Sequence, residues 1–290
     1  MTQSSYPLVH AVTGATGAQG GATVRALLAR GHRVRALTRD PESVAAKELA
    51  ALGAEVVRAD FDDPASLDAA LAGADGLFAM STPFGTDLDT EVRQAVGLLD
   101  RAAAAGVGHL VYTSATNADR ATGIPHFDSK YLVEQHLRGL GVDWTVIAPA
   151  AFLDNWTSGW SMEGLRNGVF ALPMPAGKPL AVIAAADIGG FAALALDRRA
   201  EFAGRRIDIA SDECTPAEIG AAIATASGWD LAYEEVPLEV VRRYSTDLAA
   251  MFGYFTEVGM DVDVAALRRE YPEVGWRSVG QWAATVEWAA

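Results

Sequence analysis

Apolar and polar positions in the first half of the chain follow two periods that take turns. The short apolar runs "PLVHAVTG", "HRVRALTR", "AEVVRADF", "ADGLFAMS" and "GHLVYTSA" are each followed by a stretch of helical spacing, over residues 19–30, 41–52, 64–71, 87–105 and 127–140, and "VDWTVIAP" closes the series. Strand and helix in regular alternation predict an α/β fold, a doubly wound parallel sheet with helices on both faces. Gly53, Gly106 and Gly141 fall just past helix ends, where a left-handed residue closes the last turn.

After Pro149 the beat loosens. An aromatic-rich stretch, "AFLDNWTSGWSMEGLRNG", leads into "FALPMPAGKP", which holds three prolines. The run "LAVIAAADIGGFAALAL" (180–196) is shorter than the ~20 apolar residues of a membrane span, and Asp187 sits in its middle. It reads as a strand followed by a helix capped by Asp187. With "GRRIDIAS" it is expected to return to the sheet. From Thr215 onward the pattern is mainly helical. The expected organisation is a dinucleotide-type domain over 1–153, rejoined by 180–210, and a smaller, mainly helical C-terminal substrate lobe over 154–179 and 211–290.

Composition narrows the function classes. Of 290 residues, half are apolar and 21% charged, a globular balance. Lys and Arg total 23 against 37 Asp and Glu, a formal net charge of −14. A nucleic-acid footprint or an anionic membrane surface needs a basic patch, so neither is an expected partner. Cys214 is the only cysteine, which excludes an intrachain disulfide and suits a reducing compartment. The first residues, "MTQSSYPLVHAVTG", lack the charged and apolar regions of a signal peptide. A soluble, cytoplasmic protein, monomer or homodimer, is expected.

The chemistry begins at "VTGATGAQGG". Gly14, Gly17 and Gly20 are spaced G-x-x-G-x-x-G between a strand and a helix, one residue longer than G-x-G-x-x-G. In such a loop the first glycine makes the tight turn, the second admits a pyrophosphate, and the third lets the helix pack close. The helix N-terminus then offers N–H groups and partial positive charge to the phosphates. A glycine-rich turn with no ligand is the alternative. At the end of the second strand, Arg39 in "ALTRDP" favours the 2′-phosphate of NADP(H), while Asp40 beside it keeps NAD(H) open. Asp60 and Phe61, Ser81 and Thr82, Thr113 and Ser114, and Ala148 and Pro149 end later strands, along the edge where ligands lie in open α/β sheets. Asp60 suits the adenine amine and Phe61 its ring. Asp62 and Asp63 serve equally well as a solvated turn before the Pro64 helix.

With these residues in view, the chain resembles the NmrA-like group of atypical short-chain dehydrogenases/reductases over nearly its full length. "TGATGAQGG", "TRDP", "ADFDDPASL", "HFDSK", "GVDWTVIAPAAFLDNW", "AAADIG" and "GMDVDVAALRREYP" stand in that group's order. The resemblance implies a Rossmann fold with its nucleotide loop on Gly14, Ala15, Thr16, Gly17, Ala18 and Gln19. It implies a 2′-phosphate contact at Arg39, adenine contacts at Asp60 and Phe61, and a ribose-side loop at Ser81 and Thr82. Nicotinamide-side contacts fall on Lys130 and on Phe152 through Asn155.

One departure bears on activity. Ordinary short-chain dehydrogenases carry Tyr-x-x-x-Lys; here "HFDSK" keeps Lys130 and places His126 at the tyrosine position. The two lie one helical turn apart on one face. His126 is chemically able to donate a proton near neutral pH, or is simply a helix N-terminal residue. Lys130 reads as a ribose ligand more readily than as a catalytic group. Ser114 stands where a serine would polarise a carbonyl, or is hydrogen-bonded structure. Phe152, Trp156 and Trp160 recur every four residues and, if helical, form one aromatic stripe, either core or pocket wall; the Pro-rich loop at 173–179 with Met251, Phe252, Tyr254 and Phe255 is expected to complete a large apolar cavity. The resulting expectation is an NADPH-dependent oxidoreductase acting on a hydrophobic quinone or aromatic carbonyl, an aromatic polyketide among them. A binding protein that senses the NADPH/NADP ratio is the alternative, and fold likeness alone does not choose between them.

Overall fold

The computed structural model describes residues 7–82 and 87–288, apart from the side chain of Trp160. β1 (Val9–Val12), α1 (Ala18–Ala29), β2 (Arg33–Thr38), α2 (Val44–Ala51), β3 (Glu55–Arg58), α3 (Pro64–Leu71), β4 (Gly76–Ala79), α4 (Leu88–Ala104), β5 (His109–Thr113), α5 (Pro125–Arg138) and β6 (Asp143–Pro149) alternate as the hydrophobic pattern predicts. There follow β7 (Ala151–Phe152), α6 (Gly159–Arg166), β8 (Val169–Leu172), β9 (Leu180–Ile183), α7 (Ala185–Asp197), α8 (Arg199–Phe202) and β10 (Arg205–Ile209). The lobe is completed by β11 (Asp212–Cys214), α9 (Pro216–Ser227), β12 (Ala232–Glu235), α10 (Leu238–Tyr244), α11 (Thr246–Glu257), α12 (Val264–Glu270) and α13 (Val279–Ala283).

The central sheet has seven parallel strands in the order β10-β6-β5-β4-β1-β2-β3. The order reverses between β1 and β4, which opens the crevice typical of a doubly wound sheet at the strands' C-terminal ends. β4 and β5 are buried along their whole length, as strands covered on both faces must be. Alternate residues supply two separate cores. Val12, Phe78, Val111 and Ile147 face α1 and α7, with Leu27, Ile188 and Phe191 among their neighbours. Ala11, Leu77, Leu110 and Val146 face α3, α4 and α5, through Leu67, Leu98 and Val133. Gly53, Gly106 and Gly141 all have positive φ where the chain leaves a helix.

Three expectations change in the second half. β10 joins the central sheet beside β6, but β9 does not: it pairs with β7 and β11 in a separate three-stranded sheet. Asp187 is not the cap of α7, which starts two residues earlier; the N–H of Ala184 goes to Ser211 Oγ and that of Ala185 to Asp154 Oδ2. Asp187 is instead fully buried, accepting from Ser211 Oγ (2.6 Å), from the Arg277 N–H (2.7 Å) and from the Arg277 guanidinium. Nor do Phe152, Trp156 and Trp160 share one helix. Phe152 ends β7, Trp156 lies in a 3-10 turn (Leu153–Thr157), and α6 begins only at Gly159. Among the described residues no helix is long and apolar enough to cross a membrane.

Candidate functional site

The glycine loop turns where β1 meets α1. Gly14 has φ +59°, and a Cβ there would meet Met80 Sδ at 2.4 Å, so both backbone and space require glycine. A Cβ on Gly20 would stand 2.2 Å from the Gly14 carbonyl oxygen, so the third glycine lets α1 lie against its own entry loop. Gly17 is the N-cap of α1. It offers no side-chain cap, and the first turn of α1 holds no acid, whereas α2, α3 and α4 each start with a capping Ser or Asp. The opening N–H groups of α1 therefore face outward unclaimed by a side chain. Ala15 is buried beneath the loop, while Thr16, Gly17 and Ala18 are exposed along it. Gln19 turns inward, its side-chain carbonyl accepting from Thr113 Oγ1 at 2.9 Å.

A cavity of about 500 Å³ opens in front of this loop, across the ends of β1, β2, β3 and β4. Gly14, Thr16, Arg39, Asp60, Phe61 and Thr82 all line it. Arg39 is exposed and makes no ion pair with any described residue. Asp40 is occupied by the turn: its carboxylate accepts from the Glu42 N–H at 3.0 Å and its carbonyl from Ser43 Oγ at 2.9 Å. Asp60 likewise accepts from the Asp62 N–H at 3.0 Å while its residue borders the cavity. Asp63 caps α3, and Asp62 is bound by Arg93 and Gln94, each at 2.9 Å. The cavity wall also includes Ser43, Met80 and Gln94, which sequence spacing had not singled out.

Two other sequence-derived residues, Ser81 and Lys130, meet beyond β4 in a buried polar cluster. Lys130 Nζ donates to the Ser81 carbonyl at 2.6 Å, to Glu91 Oε1 at 2.7 Å and to Ser81 Oγ at 3.3 Å. Glu91, in the first turn of α4, is fully buried and also accepts from Ser81 Oγ at 3.1 Å and Ser129 Oγ at 2.7 Å. Burial lowers the Lys130 ammonium from its ordinary value, and the Glu91 charge works against that fall. Burial also pushes the Tyr112 phenol far up, so Tyr112 stays protonated beside Ser81 Oγ at 3.2 Å. Glu91 was not anticipated; an acid in a first helical turn is ordinary, and only folding shows that it meets Lys130.

Ser114 donates to Glu134 Oε1 at 2.5 Å, and Glu134 is further held by Arg206 and Arg138, each at 3.0 Å. Burial raises the Glu134 carboxyl while Arg206 pulls it down. The Ser114 hydroxyl is thus committed to a buried ion network. His126, in the first turn of α5, has Nδ1 2.7 Å from Asp247 Oδ1 on α11 of the lobe. Pro149 is buried at the end of β6, Phe152 is half-buried, and Asn155 is exposed. Trp156 packs edge-on against Phe170 and Trp282, and Phe255 edge-on against Phe252 and tilted against Phe127, so both lie in the core of the lobe. Met251 is half-buried beside them, and the Trp160 side chain lies outside the described residues. Cys214 is buried in β11, where burial pushes its thiol up to about 12. No group of metal-ligating side chains occurs among the described residues.

Residues 9–283 match the NmrA-like family. The chain belongs to the NmrA-like family. An NmrA-like family domain-containing oxidoreductase, FrzB of Cladobotryum sp, is 38% identical over 161 residues, 50% of this chain and 47% of the relative. The chain thus spans about half the length of such curated relatives. The NAD(P)H azoreductase of Xenophilus azovorans is 30% identical over 239 residues, 82% of this chain and 80% of that one. Among solved structures, NmrA, a negative transcriptional regulator, in complex with NADP superposes with a TM-score of 0.79 at 23% identity, covering 98% of this chain and 96% of the other. The NADPH-dependent quinone oxidoreductase of Escherichia coli, complexed with NADPH, gives 0.76 at 24% identity, covering 96% and 99%. At these identities the structural likeness speaks for the NmrA-like fold alone.

Proposed function

We propose that the protein is an NADP(H)-dependent reductase of a hydrophobic quinone or aromatic carbonyl, aromatic polyketides included. The observation that carries this reading is an α1 N-terminus without a side-chain cap on the same cavity as Arg39, which pairs with no described residue. Those residues fit the nucleotide. The loop from Gly14 to Ala18 leaves backbone N–H groups for a pyrophosphate, and Arg39 offers a guanidinium to a 2′-phosphate. Asp40 holds its own turn through one carboxylate oxygen, and the Arg39 guanidinium beside it on the cavity favours NADP(H) over NAD(H). Asp60 and Phe61 border the space an adenine would take. When bound, the reduced nicotinamide supplies hydride. Lys130 reaches a ribose hydroxyl by exchanging its long contact to Ser81 Oγ, with Glu91 keeping the ammonium in place. The names of the azoreductase and quinone oxidoreductase relatives support the same reaction class.

The test is NADPH oxidation by the purified protein with menadione, a 1,4-naphthoquinone, an azo dye and an aromatic ketone, beside calorimetry with NADPH and NADP⁺. Turnover with one of these acceptors is the expected result. Tight nucleotide binding with no turnover on any of them overturns the enzyme reading. One observation favours a sensor instead: all three Lys130 ammonium hydrogens already have protein acceptors. A sensor requires different affinities for NADPH and NADP⁺, because a ligand shifts a conformational equilibrium only by its differential affinity.

A further inference from the structure

We propose that His126, oriented by Asp247, is the proton donor of the reductive step, and that the lobe helix α11 thereby completes the active site. This rests on the reductase reading above.

The two residues come from different parts of the fold, 121 positions apart in sequence. A carboxylate only accepts hydrogen bonds, so the 2.7 Å contact places a hydrogen on His126 Nδ1. In the neutral ring Nε2 is then the basic nitrogen, and in the imidazolium Nε2 carries the transferable proton. Asp247 has no cationic partner other than His126 among the described residues, so its charge acts on that ring. The His126 side chain is 12% exposed and Asp247 27%, open enough for exchange with water and dry enough for the pairing to count.

Location supports the role. Lys130 lies one turn further along α5 on the same face, and its ammonium ends on Ser81, next to Thr82 at the cavity wall. The His126 ring stands edge-on to Phe127 at 4.8 Å, and Phe127 packs on Phe255 of α11. The helix that holds Asp247 thus also supplies Met251 and Phe252, half-buried apolar residues suited to flank a flat substrate.

The step balances as follows. The reduced nicotinamide nucleotide, once bound, would supply the two electrons and one hydrogen that turn the quinone or carbonyl into an oxyanion. The Nε2–H bond of the imidazolium breaks and an O–H bond forms on the substrate. The neutral ring keeps its Nδ1 hydrogen on Asp247 and regains a proton from water. His126 is the catalytic group here, and Asp247 is a positioning residue.

The experiment compares wild type, His126→Gln, Asp247→Asn and the double variant with NADPH and menadione, measuring kcat, KM, the NADPH dissociation constant and Tm. A positioned acid typically contributes about 10²–10⁴-fold, so kcat falls at least about 100-fold in His126→Gln. In Asp247→Asn it falls about 10- to 100-fold, with KM and the NADPH dissociation constant within about threefold of wild type. Because the pair acts as a unit, the double variant is no slower than His126→Gln. ¹⁵N NMR of histidine-labelled wild type, which needs no turnover, shows the Nδ1–H tautomer at alkaline pH. Overturning results are a His126→Gln enzyme within about twofold of wild-type kcat, an Nε2–H tautomer, or an Asp247→Asn variant whose Tm and nucleotide affinity fall together with kcat. Wild-type protein that oxidises no NADPH on any acceptor removes the reductase reading, and this inference with it. Wild-type turnover with unaffected variants removes the inference alone.

Discussion

At the C-terminal end of the central sheet, Lys130, Glu91, Glu134 and Arg206 are buried as ions, each beside an opposite charge. At the N-terminal end, His10 on β1 and His109 on β5 are buried as neutral rings. Desolvation is the main cause in both, aided by His32 beside His10 and Arg199 beside His109, and it lowers each to about 4. Among the described residues, both nitrogens of His10 and Nδ1 of His109 have no hydrogen-bond partner. Thr145 spends its only hydrogen on the Phe202 carbonyl at 2.9 Å, so His109 Nε2 donates to Thr145 Oγ1 at 2.8 Å. One end of the sheet buries charges in opposite pairs, and the other buries two imidazoles without a counter-ion, with charged pairs such as Arg199–Asp143 only at its margin. Buried ions survive only where a partner offsets their desolvation, and the two ends meet that condition differently.

Acidification is the strongest way to break the comparison. The unfolded rings take up a proton near 6.5 and the folded ones only near 4, so between these values the unfolded chain binds more protons and stability falls as pH falls. That drop is worth about 3 kcal/mol per ring, and the loss from these groups ends below the folded value. Glu134 and Asp154, whose carboxyls burial raises, act in the opposite sense. His109→Gln isolates the ring's share: urea denaturation across this range is expected to show a shallower slope in that variant. An unchanged slope would sink the account of His109.

At the charged end, Glu91→Gln leaves the Lys130 ammonium buried without its counter-ion, at a cost of about 3 kcal/mol. Lys130→Met in the same chain recovers part of that loss, so a double-mutant cycle by denaturation reads the coupling. Additive losses would mean that the pair contributes nothing as a pair. A smaller effect tests the open cavity beside this closed cluster. Arg39→Ala is expected to weaken NADPH about 10- to 50-fold, roughly 1.4–2.3 kcal/mol, and to leave NADH nearly unchanged. Equal weakening of both nucleotides in calorimetry would remove the 2′-phosphate role. The smallest change is Ser114→Ala, which costs about 1 kcal/mol of stability with little effect on kcat if the hydroxyl only serves Glu134. A kcat loss of about 100-fold would restore Ser114 to the substrate.

The half of the site that reads directly from the sequence is the half whose rules are local. Gly14 must turn at φ +59° and Gly20 must clear a carbonyl six residues back, and both demands show in the spacing G-x-x-G-x-x-G. Arg39 and Asp40 were legible as a pair of opposed choices, and the turn made by Glu42 and Ser43 assigns them separate tasks. The aromatic spacing at Phe152, Trp156 and Trp160 misled because period four marks a stripe only inside one helix, and β7 and a 3-10 turn interrupt it. Glu91, Asp187 and Asp247 were not legible as partners. They meet Lys130, Arg277 and His126 across 39, 90 and 121 residues, and no local signal marks an acid that will lose its water to a distant base.

By itself, the sequence determined the order of strands and helices, the glycine loop at the mouth of α1 and the cationic residue after β2. Each of these depends on backbone conformation and periodicity within a few neighbouring positions. Only the tertiary structure decided which charges are paired, which histidines stay neutral and which lobe helix faces His126. Those outcomes depend on desolvation and on distances between elements, which exist only once the chain has folded.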